Sequence, residues 1–166
     1  LSSLFFNEGN NHIDYMRKSV VKDSVLYPKQ KHREQSKLIH QLLTKYHYKK
    51  INLSDSLSKK ILDRYIASLD PNKEYLFSSD IKYFSQYDEK IDDYITSGYL
   101  EPAYEIFTVY HERVKNRINY VFSMLKNEPD FSTLEKFNTD RKETDWFDNV
   151  DEMDNYWRKK IKKAVL

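Results

Sequence analysis

The sequence predicts an all-α fold: an irregular bundle of about five or six helices, with one long helix and an aromatic-rich connecting loop. Three observations lead there. Glycine occurs twice in 166 residues, where ordinary usage of about 7% gives roughly a dozen. Only four prolines interrupt a chain rich in Lys, Glu, Leu and Ile. In segment after segment the apolar residues recur at i, i+3/4 and i+7/8, the spacing of one helix face. Aromatics make up 15% of the chain, 14 of them tyrosine, which supplies apolar area for a core and separates this composition from a disordered one.

Residues Leu1 to Asn11 show no periodicity and read as a mobile end. Ile13 to Val25 carries the pattern of a short helix, stopped by Pro28, whose ring also disfavours helix at Tyr27. Residues 1–28 are therefore set apart from a helical domain over 29–166. From Lys29 to about Tyr46 a stripe of Leu38, Ile39, Leu42, Leu43 and Tyr46 predicts a helix with a very polar beginning that projects into solvent. Ser54 is placed to cap a second helix whose buried side is Leu57, Ile61, Leu62, Tyr65, Ile66 and Leu69. Asp70-Pro71-Asn72-Lys73 is a turn, since proline presets φ and asparagine tolerates the left-handed region. A short extended piece, Glu74 to Phe77, follows. Ser79 then caps a helix with Ile81, Phe84, Ile91, Tyr94 and Ile95 inward, and Gly98 supplies the left-handed position past its end.

Pro102, in a first-turn position, opens the longest helix, which runs to about Asn127 and spans about 37 Å at 1.5 Å per residue. Its stripe is Ala103, Ile106, Phe107, Tyr110, Val114, Ile118, Val121, Phe122 and Leu125. A helix of that length either projects beyond a small bundle or carries a second set of elements. Pro129 ends it. Residues Asp130 to Asn149 form a long connection holding Phe131, Phe137, Trp146 and Phe147, which gain by packing onto helices. A last helix starts near Asp151, with Met153, Trp157, Ile161, Ala164 and Val165 on its apolar side. It is still periodic where the chain stops, and the first residue is Leu1, so the chain reads as an excised piece cut at a domain boundary. An apolar helix end left bare in this way predicts self-association. Leu1 to Phe6 allow two readings, the end of a removed signal peptide or a disordered end.

Composition excludes several chemistries. Cysteine is absent, which removes disulfides, thiolate metal sites and a cysteine nucleophile. Gly9 and Gly98 make no G-x-G pattern, so a phosphate-cradling loop has no glycines to build it. Lys and Arg number 28 against 26 Asp and Glu, and signs that nearly cancel argue against a dedicated nucleic-acid binder. No apolar run approaches the ~20 residues of a membrane span.

The motifs that remain are weak. S-x-x-K, in which a lysine one turn on can take the serine proton, occurs at Ser19/Lys22, Ser56/Lys59, Ser79/Lys82 and Ser123/Lys126. Four hits in a chain this rich in serine and lysine reflect composition. His40 and His47 share a helix face without a third and fourth ligand, and His111-Glu112 lacks the second histidine of H-E-x-x-H. No cofactor or metal is called for. Asp88, Glu89, Asp92 and Asp93 form an acidic patch, and Arg158, Lys159, Lys160, Lys162 and Lys163 a basic last turn that suits the helix dipole. Both read as solvated faces. Tyr46, Tyr48, Tyr65, Tyr75, Tyr83 and Tyr87 fit either core-rim positions or a protein interface.

An ordered series of short stretches carries a family resemblance: His47-Tyr48-Lys-Lys-Ile-Asn-Leu, Ile61-Leu-Asp63-Arg64-Tyr65, Ser68-Leu-Asp70, Leu76-Phe-Ser-Ser79-Asp80-Ile, Ser97-Gly98-Tyr-Leu, Pro129-Asp130-Phe131, Asn138-Thr-Asp140-Arg141, Trp146 and Trp157. In order and spacing, over roughly residues 31–166, they resemble the N-terminal domain of tail-specific proteases, the periplasmic C-terminal processing serine peptidases. Leu69-Asp70-Pro71-Asn-Lys-Glu-Tyr75-Leu76 is also similar to the D-P-H-x-x-Y-L element that precedes the PDZ domain in related peptidases. Asn72 replaces its histidine, so no role carries over.

The resemblance implies a noncatalytic part of a periplasmic, ATP-independent endopeptidase that cuts proteins with apolar C-termini. The family's Ser/Lys dyad and PDZ domain lie beyond Leu166, and no residue here maps onto them. The helical domain is expected to pack beside the PDZ and protease domains of the same polypeptide, to shape the entry of unfolded substrates and to dock an adaptor protein. Asp63, Arg64, Asp140 and Arg141 are expected to act as ion-pair or capping residues, Trp146 and Trp157 as anchors, and Tyr65, Asp70, Ser79 and Asp80 as further structural positions. A stand-alone helical interaction module with a tyrosine-rich face is the alternative; a nucleic-acid or anionic-membrane binder using the terminal lysines is a second.

Overall fold

The structure is a computed structural model, and it describes residues 26–48, 54–126, 132 and 135–165. The readings made of residues 1–25, of Phe131 and of the end of the long helix past Lys126 fall outside these. Six α-helices occur among the described residues: α1 (Gln30–Gln41), α2 (Asp55–Leu69), α3 (Ser78–Phe84), α4 (Ile91–Ser97), α5 (Glu101–Met124) and α6 (Val150–Ala164). The all-α fold is as the sequence predicts. None of these helices is long and apolar enough to cross a membrane.

The helices pack around two apolar clusters strung along α5. In the first, Leu62 and Ile66 of α2 meet Leu76, Phe84 of α3, Tyr87 and Ile106 of α5. In the second, Phe77, Phe147, Met153 and Tyr156 are packed with Phe137 and Trp157. The 24 residues of α5 span about 36 Å, so its first half serves one cluster and its second half carries α6. The long helix thus carries a second set of elements.

Local chemistry explains most boundaries. Ser54 is the cap residue of α2, in extended backbone, and its carbonyl oxygen accepts from Leu57 N and Ser58 N, both at 2.8 Å. Gly98 ends α4 at φ 73°. A Cβ there would lie 2.8 Å from the carbonyl oxygen of Arg33, so glycine is required both for the left-handed backbone and for the approach of α1. Asn149 caps α6, its side chain accepting from Glu152 N at 3.0 Å.

Four expectations are corrected. The segment read as one helix from Ser79 to Ser97 is broken into α3, a 3-10 turn at Ser85–Tyr87 and α4. Ser58 of α2, fully buried, causes part of this: its hydroxyl donates to Asp92 Oδ1 at 2.7 Å and accepts from Asp92 N at 2.9 Å, capping α4 from outside. Ser79 does not cap α3. The helix starts at Ser78, Phe77 is the cap residue, and Asp80 reaches back to accept Phe77 N at 3.0 Å. The left-handed residue of the turn is Lys73 (φ 52°) and not Asn72. Finally, the polar start of the first helix does not project into solvent: Arg33 pairs with Glu101 and Ser36 Oγ donates to Ile95 O at 3.0 Å, while Leu38 and Ile39 of α1, and Leu42 and Tyr46 of the π-helical turn Leu42–Tyr46 that follows it, are exposed.

Candidate functional site

The turn after α2 is organised by one carboxylate. Asp70 is 1% exposed, and its oxygens accept the backbone N–H groups of Glu74 (2.8 Å), Tyr75 (2.9 Å) and Leu76 (3.0 Å). A buried charge needs such partners. Here they come from a chain that reverses direction within six residues. The αL backbone at Lys73, which costs a residue with a Cβ about 1–2 kcal/mol, is held by Lys73 N on Asp70 O at 3.1 Å and by Lys73 Nζ on Thr144 O at 2.7 Å.

The next residue fastens α6. Glu74 is also buried, and its carboxylate accepts Tyr156 Oη–H at 2.7 Å and Lys160 Nζ at 2.5 Å. Its carbonyl accepts Trp157 Nε1 at 3.0 Å. Burial, with the Glu74 charge beside it, pushes the neighbouring Tyr75 hydroxyl up to about 12. Burial and the bond to Glu74 raise Tyr156 further.

The connection after α5 closes the knot. Phe147 makes a parallel β-bridge with Phe77, its carbonyl accepting Ser78 N at 2.9 Å. The Arg141 guanidinium lies 3.7 Å from the centre of the Phe147 ring and 5.0 Å from that of Tyr156, and donates to Asp145 O at 3.0 Å. Burial lowers its pKa from the usual arginine value. Trp146 packs on the first cluster, with Lys73 Nζ 5.6 Å from its ring centre.

On the other side of the turn, Asp80 receives Arg113 of α5 in a two-pronged pair, Nε at 3.0 Å and Nη2 at 2.8 Å. One turn on, Arg117 is 6% exposed. It pairs with Asp154 of α6 at 2.5 Å and stacks 4.6 Å from the centre of Tyr120. Its Nε is buried without a hydrogen-bond partner among the described residues. Arg113, Arg117, Tyr120 and Asp154, with Tyr75, Phe77, Asn116, Val150 and Met153, line a cavity of about 220 Å³ between α5 and α6. Aromatic walls and two arginines, each already matched by an aspartate, suit the holding together of elements. Among the described residues, that lining holds no serine, histidine or lysine.

The structure therefore brings Asp70, Asp80, Arg141, Trp146 and Trp157 together around residues 70–80. Tyr65 works elsewhere, donating to Ala103 O at 2.9 Å to fix α2 on α5. Asp63, Arg64, Ser79 and Asp140 are exposed. Asp63 sits 3.9 Å from Lys59, and Asp140 accepts Lys142 N at 3.1 Å in the connection. Sequence reasoning did not single out Glu74, Tyr156, Arg113 or Arg117. The available signals were the four-residue spacings Arg113/Arg117 and Tyr156/Lys160, which put each pair on one helix face.

Residues 38–166 match the family model described as the tail specific protease N-terminal domain. The chain belongs to the tail-specific protease family. It is 34% identical over 125 residues to the tail-specific protease of Haemophilus influenzae, an alignment covering 75% of this chain and 18% of that protein. The tail-specific protease N-terminal domain thus includes every residue of the knot, and its matched region begins in the exposed stripe of α1.

The other sequence candidates dissolve into pairs. Lys59 of the Ser56/Lys59 motif binds Asp88 at 3.0 Å, and Asp92 is held by Ser58. In the basic run, Arg158 and Lys162 both meet Glu135, and Lys160 meets Glu74. No group of three His, Asp or Glu among the described residues is placed to hold a metal. The tyrosines do not share a face: Tyr46, Tyr48 and Tyr83 are exposed while Tyr87 is buried.

Proposed function

We propose that residues 29–166 are the noncatalytic N-terminal helical domain of a periplasmic, ATP-independent serine endopeptidase that cleaves proteins with apolar C-termini. In this reading residues 1–28 are a separate segment. The domain packs beside the PDZ and protease domains of the same polypeptide, shapes the entry of unfolded substrates and offers a surface to an adaptor. The observation that supports this most directly is the match of residues 38–166 to the N-terminal domain of this family. The character of the knot agrees with it, because its carboxylates and arginines are committed to backbone groups and to one another.

Incubation of the isolated chain with an unstructured protein such as casein should leave the protein uncut, while the parent polypeptide cleaves it. Hydrolysis by the chain alone would overturn the noncatalytic reading. Reading the gene beyond Leu166 tests the rest: PDZ and Ser/Lys protease regions support the proposal, and a stop codon favours a stand-alone interaction module.

A further inference from the structure

Arg117 is a buried cation with most of its hydrogen-bonding capacity unused. It is 6% exposed, and a guanidinium carries five N–H donors in one plane. Among the described residues its one hydrogen bond runs from Nη1 to Asp154 Oδ1, at 2.5 Å. The rings of Tyr120 and Trp157 lie against it, their centres 4.6 and 6.0 Å from its central carbon. The edge formed by Nε and Nη2 has no partner among the described residues, and Nε is buried. Buried donors without an acceptor are rare and costly. One turn earlier on α5, Arg113 sets this same Nε–Nη2 edge on the two oxygens of Asp80, at 3.0 and 2.8 Å. Two parallel N–H groups are the fork that matches a carboxylate. Arg117 has a second such fork, and no carboxylate among the described residues meets it.

Arg117 lines the cavity between α5 and α6, which holds about 220 Å³. That is more than the ~150 Å³ that takes up benzene and less than the ~300–1,000 Å³ of a drug-sized site, so it suits one ring bearing one small polar group. Phe77 and Met153, 7% and 2% exposed, give the cavity an apolar wall with the ring of Tyr75. The Tyr75 hydroxyl has no hydrogen-bond partner among the described residues and is a further donor. We propose that this cavity binds a small aromatic monocarboxylic acid, with its carboxylate on the Nε–Nη2 edge of Arg117 and its ring against Phe77, Tyr75 and Met153. Asp154 holds Arg117 through Nη1, so the two carboxylates do not compete for the same donors. An alcohol of the same shape fits the wall but meets the fork with a weaker, uncharged acceptor. A second carboxylate on the ligand would stand against Asp154, which selects for a single charge.

Benzoate is the probe, titrated into the whole chain at neutral pH and followed by the Nε–H resonance of Arg117. That resonance should shift and saturate, and benzoate should bind at least about tenfold more tightly than benzyl alcohol. Arg117→Lys keeps a positive charge for Asp154 but presents no fork, and it should weaken benzoate at least about tenfold while changing benzyl alcohol little. Val150→Trp is the second variant, in case Arg117→Lys fails to fold by circular dichroism. Val150 lines the cavity and is 55% exposed, so a larger ring there fills the cavity from its rim without disturbing the core. It should weaken both compounds at least about tenfold with the fold intact. Absence of binding up to the solubility of benzoate overturns the proposal and leaves the cavity to water. Equal affinity for benzyl alcohol overturns carboxylate recognition. Binding that both variants leave unchanged overturns the assignment to this cavity.

Discussion

The turn at residues 70–80 and the helix α1 are held to the same domain by opposite means. Around the turn, aromatic rings and aliphatic side chains are buried, and each carboxylate inside is matched by several donors. Along α1 the polar groups face the body and the apolar ones face away. The difference separates surface a fold needs for itself from surface it keeps for something else. Asp70 and Glu74 close the domain on itself; Leu38 and Leu42 leave it open.

The largest effect on this contrast should come from Asp70. Asp70→Ala leaves buried N–H groups of Glu74, Tyr75 and Leu76 without acceptors, and bonds to a charged group contribute about 1.5–3 kcal/mol each. Urea unfolding should show a loss of at least about 3 kcal/mol. Asp70→Asn, which keeps one carbonyl acceptor, should lose roughly half as much. A variant as stable as the parent would mean that the turn is fixed by packing alone.

Glu74→Gln should cost less, about 2 kcal/mol, because Lys160 is partly exposed and regains water when its partner is lost. The neighbouring tyrosine gives the same region a pH signature. In the folded chain Tyr75 ionises only at about 12, against about 10 for a free tyrosine. Since the folded pKa is raised, its contribution is complete below pH 10 and is lost as pH rises through 12. Tyrosinate absorbance should therefore report part of the ionisation together with alkaline unfolding.

Gly98→Ala tests the other side of the comparison. The substitution places a Cβ at φ 73° and 2.8 Å from Arg33 O, so α1 must move off. A cost of about 1–2 kcal/mol is expected, and hydrogen exchange should locate it in α1 and α4 while the amides of residues 74–76 keep their protection. Arg33→Ala should loosen α1 in the same experiment.

The sequence made α2, α5 and α6 legible, because each has a long apolar period, with a cap residue marking the start of α2 and a proline the first turn of α5. Gly98 was legible for the same local reason. Period shows that one side of α1 is apolar, but not which side the body of the domain covers, and there the expectation of a polar start projecting into solvent failed. The break between α3 and α4 depends on Ser58, thirty-four residues before Asp92, and no local pattern announces it. Glu74 meets Tyr156 and Lys160 across more than eighty residues, so in sequence it looks like any charged turn residue. Asp70, Arg141, Trp146 and Trp157 were singled out by the family resemblance. Their common destination needed the fold.

The smallest effect should appear where the connection meets the far end of α6, at the edge of the knot. Glu135 is bound there by Arg158 and, at 3.2 Å, by Lys162, and these bonds hold its carboxyl down at about 2. Because the folded pKa is depressed, the contribution is present above the ordinary glutamate range and fades as pH falls from about 4.5 towards 2. Glu135 is near the surface, so solvent screens the pair and the slope is shallow. Unfolding followed from pH 6 to pH 3 should fall more gently in Glu135→Gln than in the parent, and the difference should map by exchange to the last turns of α6. An identical slope would mean that the Glu135 pairs do not help to hold α6, and that the knot ends at Lys160.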